Sequence, residues 1–243
     1  MKGMPRQALV TGGSGGVGAA ICRRLARDGH RVFVHAHRSR EAAVQLVQEL
    51  RAEGAQAELL CFDVTDASAT TAALAPVLAA APFQILVNNA GVHDDAVFPG
   101  MSALQWQRVL DVSLQGFFNV TQPLVLPMIR TRWGRIINIS SVTAQIGNRG
   151  QVNYAAAKGA LISASRALAL ELASRGVTVN AVAPGIIATG MSAGSFDAAA
   201  IERLVPMRRA GTAAEVAELV NFLCEDLAAY ITGQVLSING GMY

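Results

Sequence analysis

A glycine cluster, Thr11-Gly12-Gly13-Ser14-Gly15-Gly16-Val17-Gly18, stands between the first apolar run of the chain and its first amphipathic stretch. The amino end of a helix leaves backbone N–H groups unpaired and carries partial positive charge. Glycines there let an anionic group approach the backbone. The cluster therefore predicts a strand, a tight turn and a helix, with the turn as a candidate seat for a pyrophosphate. Glycines at 12, 16 and 18 give G-x-x-x-G-x-G, a looser spacing than the G-x-G-x-x-G of the standard dinucleotide turn. A plain strand–helix turn is the competing reading of the glycines alone.

Beyond the turn, short apolar runs alternate with longer amphipathic ones. Strands are predicted over 7–11, 31–36, 56–62, 84–88, 135–140, 177–183 and 235–238. Helices are predicted over 16–28, 40–53, 67–80, 102–130 (as two helices), 153–174 and 212–224. This alternation argues for a parallel sheet covered on both faces. The runs ALV, ILV and RIINI are apolar throughout, as strands buried on both sides should be. No repeat, low-complexity tract or linker interrupts the pattern. The expectation is one Rossmann-type, doubly wound α/β domain over 1–243, with a seven-stranded parallel sheet and helices on both faces.

Composition removes other classes. A chain that is 52% hydrophobic and 15% charged is not disordered. Aromatics are 5%, so Ala, Val, Leu and Ile must fill most of the core. A net charge of +3 is too weak to point to nucleic acid. Cys22, Cys61 and Cys224 form no C-x-x-C pair, so neither zinc nor a disulfide framework is expected, and a reducing compartment is. The stretch MKGMPRQALVTGG has no apolar core of signal-peptide length. The most apolar stretch, 71–87, contains Pro76, Pro82 and Gln84. No membrane span is expected, and the expected location is cytoplasmic.

The choice of dinucleotide should be decided after the second strand. An acid there binds the ribose hydroxyls of NAD, whereas a basic group takes the extra phosphate of NADP. Here Val34-His35-Ala36-His37-Arg38-Ser39-Arg40 holds no acid before Glu41. Arg38 is a planar donor suited to a phosphate, so NADPH/NADP+ is the expected cofactor. The alternative is that Arg38 and Arg40 simply open a solvated helix. Asp63, after the third strand, can accept from an adenine amino group or cap the next turn. Asn88-Asn89-Ala90-Gly91 can offer amides to a ribose or form an ordinary turn. His35 and His37 point to opposite strand faces, so no metal site is expected. His93 is read as a loop histidine that could border the substrate cavity.

Tyr154 and Lys158 stand at i and i+4, on one helix face. A free tyrosine has a pKa near 10; a nearby ammonium stabilises the phenolate and lowers it. Ser141 lies just past the fifth strand, at the carboxyl edge where open parallel sheets bind ligands. Its hydroxyl can donate to a substrate carbonyl. Alone, a Tyr and a Lys one turn apart form an ordinary surface pair; together with the serine they form a catalytic set.

TGGSGGVG, NNAG, SS followed by YAAAK, and Pro184-Gly185 together resemble the short-chain dehydrogenase/reductase family, and within it the bacterial 3-oxoacyl-[acyl-carrier-protein] reductases. The likeness runs from Ala8 to the closing Asn239-Gly240-Gly241-Met242-Tyr243, with GNRGQVNYAAAKGAL, SRGVTVNAVAPG and AAYITGQ the closer segments. The resemblance implies that Tyr154 protonates the carbonyl oxygen, Lys158 holds the nicotinamide ribose and lowers the tyrosine pKa, and Ser141 polarises the carbonyl. It places Gly12, Gly13, Ser14, Gly15, Gly16 and Val17 around the pyrophosphate, Asp63 and Val64 at the adenine, and Asn89, Ala90 and Gly91 at the ribose. Ile187, just after Pro184 and Gly185, would bond the carboxamide through its backbone, with Thr189 nearby. Three departures stand out. Ser113 replaces an asparagine that anchors a water relaying protons to the lysine. Gly15 replaces an arginine near the NADP phosphate. Ala188 and Gly190 replace acids common in this branch.

The implied partner is an acidic acyl-carrier protein bearing a 3-oxoacyl substrate, docked on Arg132 and Arg175 with Arg130, Arg135 and Arg149 adding positive charge. A solvated helix end is the plainer account of these arginines. An Ala-rich Tyr–Lys helix, with Ala160, Ser163 and Ala167 in reach of one face, implies a homotetramer. The expected activity is NADPH-dependent reduction of a carrier-bound 3-oxoacyl thioester, in fatty acid or polyketide-type synthesis. The alternatives are reduction or oxidation of a free small ketone or alcohol, and a non-enzymatic dinucleotide sensor, which would have no use for Ser141, Tyr154 and Lys158.

Overall fold

A computed structural model of the chain describes residues 4–190 and 197–243. Seven parallel strands form its sheet: β1 (Gln7–Val10), β2 (Arg31–Ala36), β3 (Ala57–Cys61), β4 (Ile85–Asn88), β5 (Gly134–Ile139), β6 (Val177–Pro184) and β7 (Val235–Ile238). Their order across the sheet is β3-β2-β1-β4-β5-β6-β7. The chain thus leaves β1 towards one edge and returns to its other side at β4. A crevice opens outside the carboxyl ends of the strands at such a reversal. The glycine turn follows β1 and Asn89 follows β4, so both rim that crevice.

Strand side chains alternate between two cores. Ala8, Val10, Val32, Val34, Ile85 and Val87 point to the layer of α1 (Gly16–Arg27) and α2 (Arg40–Ala52). Leu9, Phe33, Leu86 and Ile136 point to the other layer, with α3 (Ala67–Ala80). That layer continues beyond α4 (Ala103–Leu110) with α5 (Gly116–Thr131), the one-turn α6 (Thr143–Ile146) and α7 (Val152–Leu172). The first layer is completed, after the short α8 (Ala198–Leu204), by α9 (Ala213–Cys224). Burying one such aliphatic side chain contributes about 1.5–3 kcal/mol, so both faces of the sheet must be covered for the fold to form. Helix starts are marked locally. Ser102 with Gln105 and Thr212 with Glu215 form reciprocal capping boxes at α4 and α9.

The seven predicted strands and the doubly wound arrangement are present, with ends shifted by one or two residues. The long helical region divides into α4 and α5 at a π turn, Asp111–Gln115. No element is predicted between 184 and 211, yet Ile187–Ala188 pairs in parallel with Gly211–Thr212, and α8 lies between them in the chain. Two-residue strands and a seven-residue helix are too short to show a period. No helix among the described residues is long and apolar enough to cross a membrane.

A polar chain crosses the interior beneath the carboxyl edge. Asn88 Nδ2 donates to Thr121 Oγ1 at 3.0 Å and to Asn138 Oδ1 at 2.8 Å, and Asn138 Nδ2 donates to Ser165 Oγ at 2.8 Å. It ties β4 and β5 to α5 and α7, the helix that carries Tyr154 and Lys158. Buried polar groups of this kind are costly once a partner is removed. Asn138→Ala is expected to lower the unfolding free energy by about 2–3 kcal/mol in urea melts, with an unchanged denaturant slope. A loss under about 0.5 kcal/mol would show that the chain does not brace the sheet.

Candidate active site

The phosphate side is built from backbone. Gly12 adopts φ +61°, and its carbonyl lies so close to Gly18 that a methyl group on Gly18 would sit 2.1 Å from the oxygen. No side chain is accommodated there. Asn89 Nδ2 bridges the carbonyls of Thr11 and Gly12 at 2.9 and 3.0 Å, and Thr11 Oγ1 accepts the N–H groups of Asn89 and Ala90 at 2.9 and 3.0 Å. The turn after β1 and the turn after β4 are therefore one unit. The N–H of Gly12 donates to His35 Nδ1 at 3.1 Å, and that of Gly13 to the His35 carbonyl at 2.8 Å. These two amides are engaged inside the protein. Among the described residues no hydrogen bond involves the N–H of Ser14 or Gly15. Gly16 and the partly buried Val17 open α1, and Thr189 packs beside Gly16.

At the adenosine side, Asp63 Oδ1 accepts from the N–H and hydroxyl of Thr65 at 2.9 and 2.8 Å. Burial opposes its ionisation, but these two bonds and the charges of His37 and Arg38 hold its carboxyl below the ordinary value. His37 Nδ1 lies 3.6 Å from Asp63 Oδ2. The sequence gives His37 no role; its exposed place beside Asp63 is concealed by the distance of 63 from 37 along the chain. Val64 is buried and its carbonyl accepts from Asn119 Nδ2 at 2.9 Å. Asn88, the last residue of β4, and Asn89, just after it, were both candidates for a ribose. Asn88 is instead committed to the interior, because alternation along β4 turns it into the sheet.

Ser141, Tyr154 and Lys158 come together at the carboxyl end of β5. The Ser141 hydroxyl is close enough to Tyr154 to favour its ionisation, and Ser141 Oγ accepts from the Thr143 N–H at 3.1 Å. Ser140 Oγ donates to the Lys158 carbonyl at 2.9 Å, which docks α7 onto this strand end. Lys158 is 3% exposed, and its Nζ donates to the Ile139 carbonyl at 2.8 Å and lies 5.7 Å from the Tyr154 ring centre. Gly91 faces that ammonium. Burial pulls the Lys158 pKa down to about 8.

The tyrosine departs from expectation. Its pKa is raised, chiefly by burial and further by the charge of Asp95, with the nearby Ser141 hydroxyl opposing. The Lys158 ammonium, bonded to the Ile139 carbonyl, does not overcome this. A phenol held protonated suits proton donation to a developing alkoxide. Ser113 sits in the π turn with its hydroxyl buried and unpartnered. Insertions of this type are frequent at functional sites.

On the nicotinamide side, Pro184 ends β6 and its carbonyl accepts from Val142 N at 2.8 Å, while Gly185 N donates to the Ile238 carbonyl at 2.9 Å. Ile187 is buried in the short strand that follows. The residues present fit a dinucleotide. The turn, closed to a side chain at Gly18, offers the unpartnered amides of Ser14 and Gly15, and a buried ammonium has a single carbonyl acceptor and two remaining protons.

The arginines do not gather at this mouth within one chain. Arg132 Nη2 donates to the Ser174 carbonyl beside Arg175, at the amino edge of the sheet. Ser141 lies at the far end of β5, roughly 20 Å away at about 3.3 Å per residue. Parallel strands share one direction, so residues preceding a strand fall opposite those following it. Arg135 is 2% exposed, with its guanidinium over Trp133 and 3.6 Å from Asp226, and is closed to any partner. Arg149 is exposed in the segment before α7.

Sheet order, glycine turn and the Ser–Tyr–Lys cluster define an oxidoreductase of the dinucleotide-binding α/β class. The chain belongs to the short chain dehydrogenase family, whose sequence model matches residues 6–200. It is 44% identical over 241 residues to the 3-oxoacyl-[acyl-carrier-protein] reductase FabG of Aggregatibacter actinomycetemcomitans, covering 98% of this chain and 100% of that one. It is 43% identical to nodulation protein G of Azospirillum brasilense, covering 97% of each. A crystal structure of a candidate gluconate dehydrogenase from Agrobacterium tumefaciens superposes with a TM-score of 0.93 at 34% identity, over 98% of this chain and 95% of that one.

The Lys158 shift makes a prediction with a definite sign. Below pH 8 the lysine is charged in folded and unfolded chains alike, and the burial cost is constant. Between about 8 and 10.5 the folded chain sheds the proton first, so native stability rises with pH. Without added nucleotide, Lys158→Met should therefore be more stable than the parent at pH 7, by roughly 3 kcal/mol, with the gap closing towards pH 10.5. A gap that is constant across that range would contradict the burial account.

Proposed function

We propose that the protein is a cytoplasmic, NADPH-dependent reductase of 3-oxoacyl thioesters carried on acyl-carrier protein. The observation that carries this reading is the convergence of Ser141, Tyr154 and a buried Lys158 at the carboxyl end of β5, on the rim of the dinucleotide crevice. The likeness to the FabG reductase supports the substrate class. Arg38, exposed and close enough to Asp63 to act on its charge, supports the phosphate-bearing cofactor, as does the lack of an acid over 35–40.

The bound nicotinamide supplies the hydride. Ser14, Gly15, Gly16 and Val17 would hold the pyrophosphate, Gly12 and Gly13 shape the turn, and Arg38, Asp63 and Val64 border the adenosine end. Asn89, Ala90 and Gly91 would line the ribose, and Pro184, Gly185, Ile187 and Thr189 the carboxamide. Ser141 donates to the ketone oxygen and fixes its position. Tyr154 delivers the proton to the same oxygen as negative charge develops there. Lys158 turns its remaining protons to the ribose and, as a cation, favours proton loss from Tyr154 at that moment. Ser113, with its buried hydroxyl free to hold a water, stands at the proton-resupply end. Tyr154→Phe should lower kcat by at least about a thousandfold while leaving the NADPH dissociation constant within about threefold. An active variant would remove Tyr154 from this role.

Docking of an acidic carrier requires more than one chain. On α7 the outward positions Ala156, Ser163, Ala167 and Leu170 are small or apolar, with Arg166 the charged exception among them, and Phe118 and Leu126 of α5 are also exposed. Antiparallel pairing of two copies across this face would bring the Arg132–Arg175 end of one to the Tyr154 end of the other. Such pairing, repeated into a tetramer, joins the docking arginines to the mouth. Arg132→Glu with Arg175→Glu should raise KM for carrier-bound acetoacetate about tenfold or more, with the parent losing affinity at high salt. The second reading, a carrier-free ketone or alcohol substrate, is favoured by the likeness to the candidate gluconate dehydrogenase. Turnover of free ketones alone, unchanged by the double substitution, would establish it.

A further inference from the structure

His35 is the largest polar group at the phosphate turn that the reaction does not use. It sits near the end of β2, 2% exposed, packed against Phe62 with ring centres 4.2 Å apart. Both of its ring nitrogens are engaged. Nδ1 accepts the Gly12 N–H at 3.1 Å, so the proton resides on Nε2, which lies 3.0 Å from the Phe62 carbonyl and donates to it. The His35 backbone carbonyl also takes the Gly13 N–H at 2.8 Å. One residue therefore holds two consecutive amides of the turn and ties them to the segment that leads into Asp63.

The Thr11–Gly12 peptide is thus gripped from both sides, its N–H by His35 Nδ1 and its carbonyl by Asn89, and the Gly12–Gly13 peptide likewise by the His35 carbonyl and Asn89. With both ends fixed, the Gly12 and Gly13 N–H groups point into the protein. The free amides begin with the next two, at Ser14 and Gly15, and continue into the first turn of α1 at Gly16 and Val17. We infer that His35 is a positioning residue for the dinucleotide: its Nδ1 lone pair sets the Gly12 peptide, and through it the orientation of the amides offered to the pyrophosphate. This rests on the reading of the turn as a dinucleotide seat. Burial holds the imidazole neutral, with a pKa of about 4, so the lone pair is available throughout the physiological range.

Two amide substitutions separate this role from simple packing. The side-chain oxygen of an asparagine falls where Nδ1 lies, and the side-chain nitrogen of a glutamine falls where Nε2 lies. His35→Asn keeps the bond to Gly12 and gives up that to Phe62; His35→Gln does the reverse. The test is NADPH titration by fluorescence, together with hydrogen–deuterium exchange of peptides spanning 9–17 in the protein without nucleotide. The expected result is an NADPH dissociation constant within about threefold of the parent for His35→Asn, and weakened about tenfold for His35→Gln and His35→Leu. Exchange over 9–17 should be faster in the latter two only. Equal behaviour of Asn and Gln variants in both measurements, or better retention by Gln, would overturn the inference and leave His35 a packing residue. A parent that fails to bind NADPH but shows the same exchange pattern would instead overturn the cofactor reading, with His35 still fixing the turn.

Discussion

The near-contact of Gly18 with the Gly12 carbonyl sets the geometry on which everything else in this protein depends. It lets α1 start directly over the end of β1, so that helix, turn and strand form one compact corner. The corner lies where the sheet order reverses between β1 and β4, and the two turns at that point are cross-bonded through Thr11 and Asn89. A side chain at 18 would separate helix from strand and release the amides at 14 and 15 from their orientation. The architecture needs seven strands to build this crevice, but its chemistry needs only the few ångströms around Gly12.

The catalytic side obeys a different constraint, the burial of charge. An ammonium with one carbonyl acceptor is an expensive thing to keep inside a protein. The interior responds with a depressed Lys158 pKa rather than with a carboxylate partner. The same burial raises Tyr154, so the pair enters the reaction as a protonated phenol beside an ammonium that gives up its proton more readily than a free lysine. A polar chain from Thr121 to Ser165 runs beneath them and fixes α7 against β5. Position is supplied by the sheet and its internal bonds, and reactivity by the dryness of the strand ends.

Much of this was legible in the residues. Continuous apolar runs such as RIINI announced strands covered on both faces, and the spacing of Tyr154 and Lys158 announced a shared helix face. What escaped notice depends on contacts across long stretches of chain. His35 reads as a strand histidine until β2 is set beside the glycine turn. Asn88 reads as a ribose ligand until β4 is given a register that turns it inward. The arginines at 132 and 175 read as a patch near the mouth until strand direction places them at the opposite edge. Elements as short as Ile187–Ala188 carry no period for a sequence to display. Ionisation was the least legible property, since the expectation for Tyr154 assumed a facing lysine and the structure turns that lysine to a carbonyl.

The most direct measurement is a crystal structure with NADP+ and a bound 3-oxoacyl analogue. The account predicts one ketone oxygen within about 2.6–3.2 Å of both Ser141 Oγ and Tyr154 Oη, with the pyrophosphate on the Ser14 and Gly15 amides. A ketone oxygen bonded to neither hydroxyl, or a nucleotide seated away from the glycine turn, would contradict it.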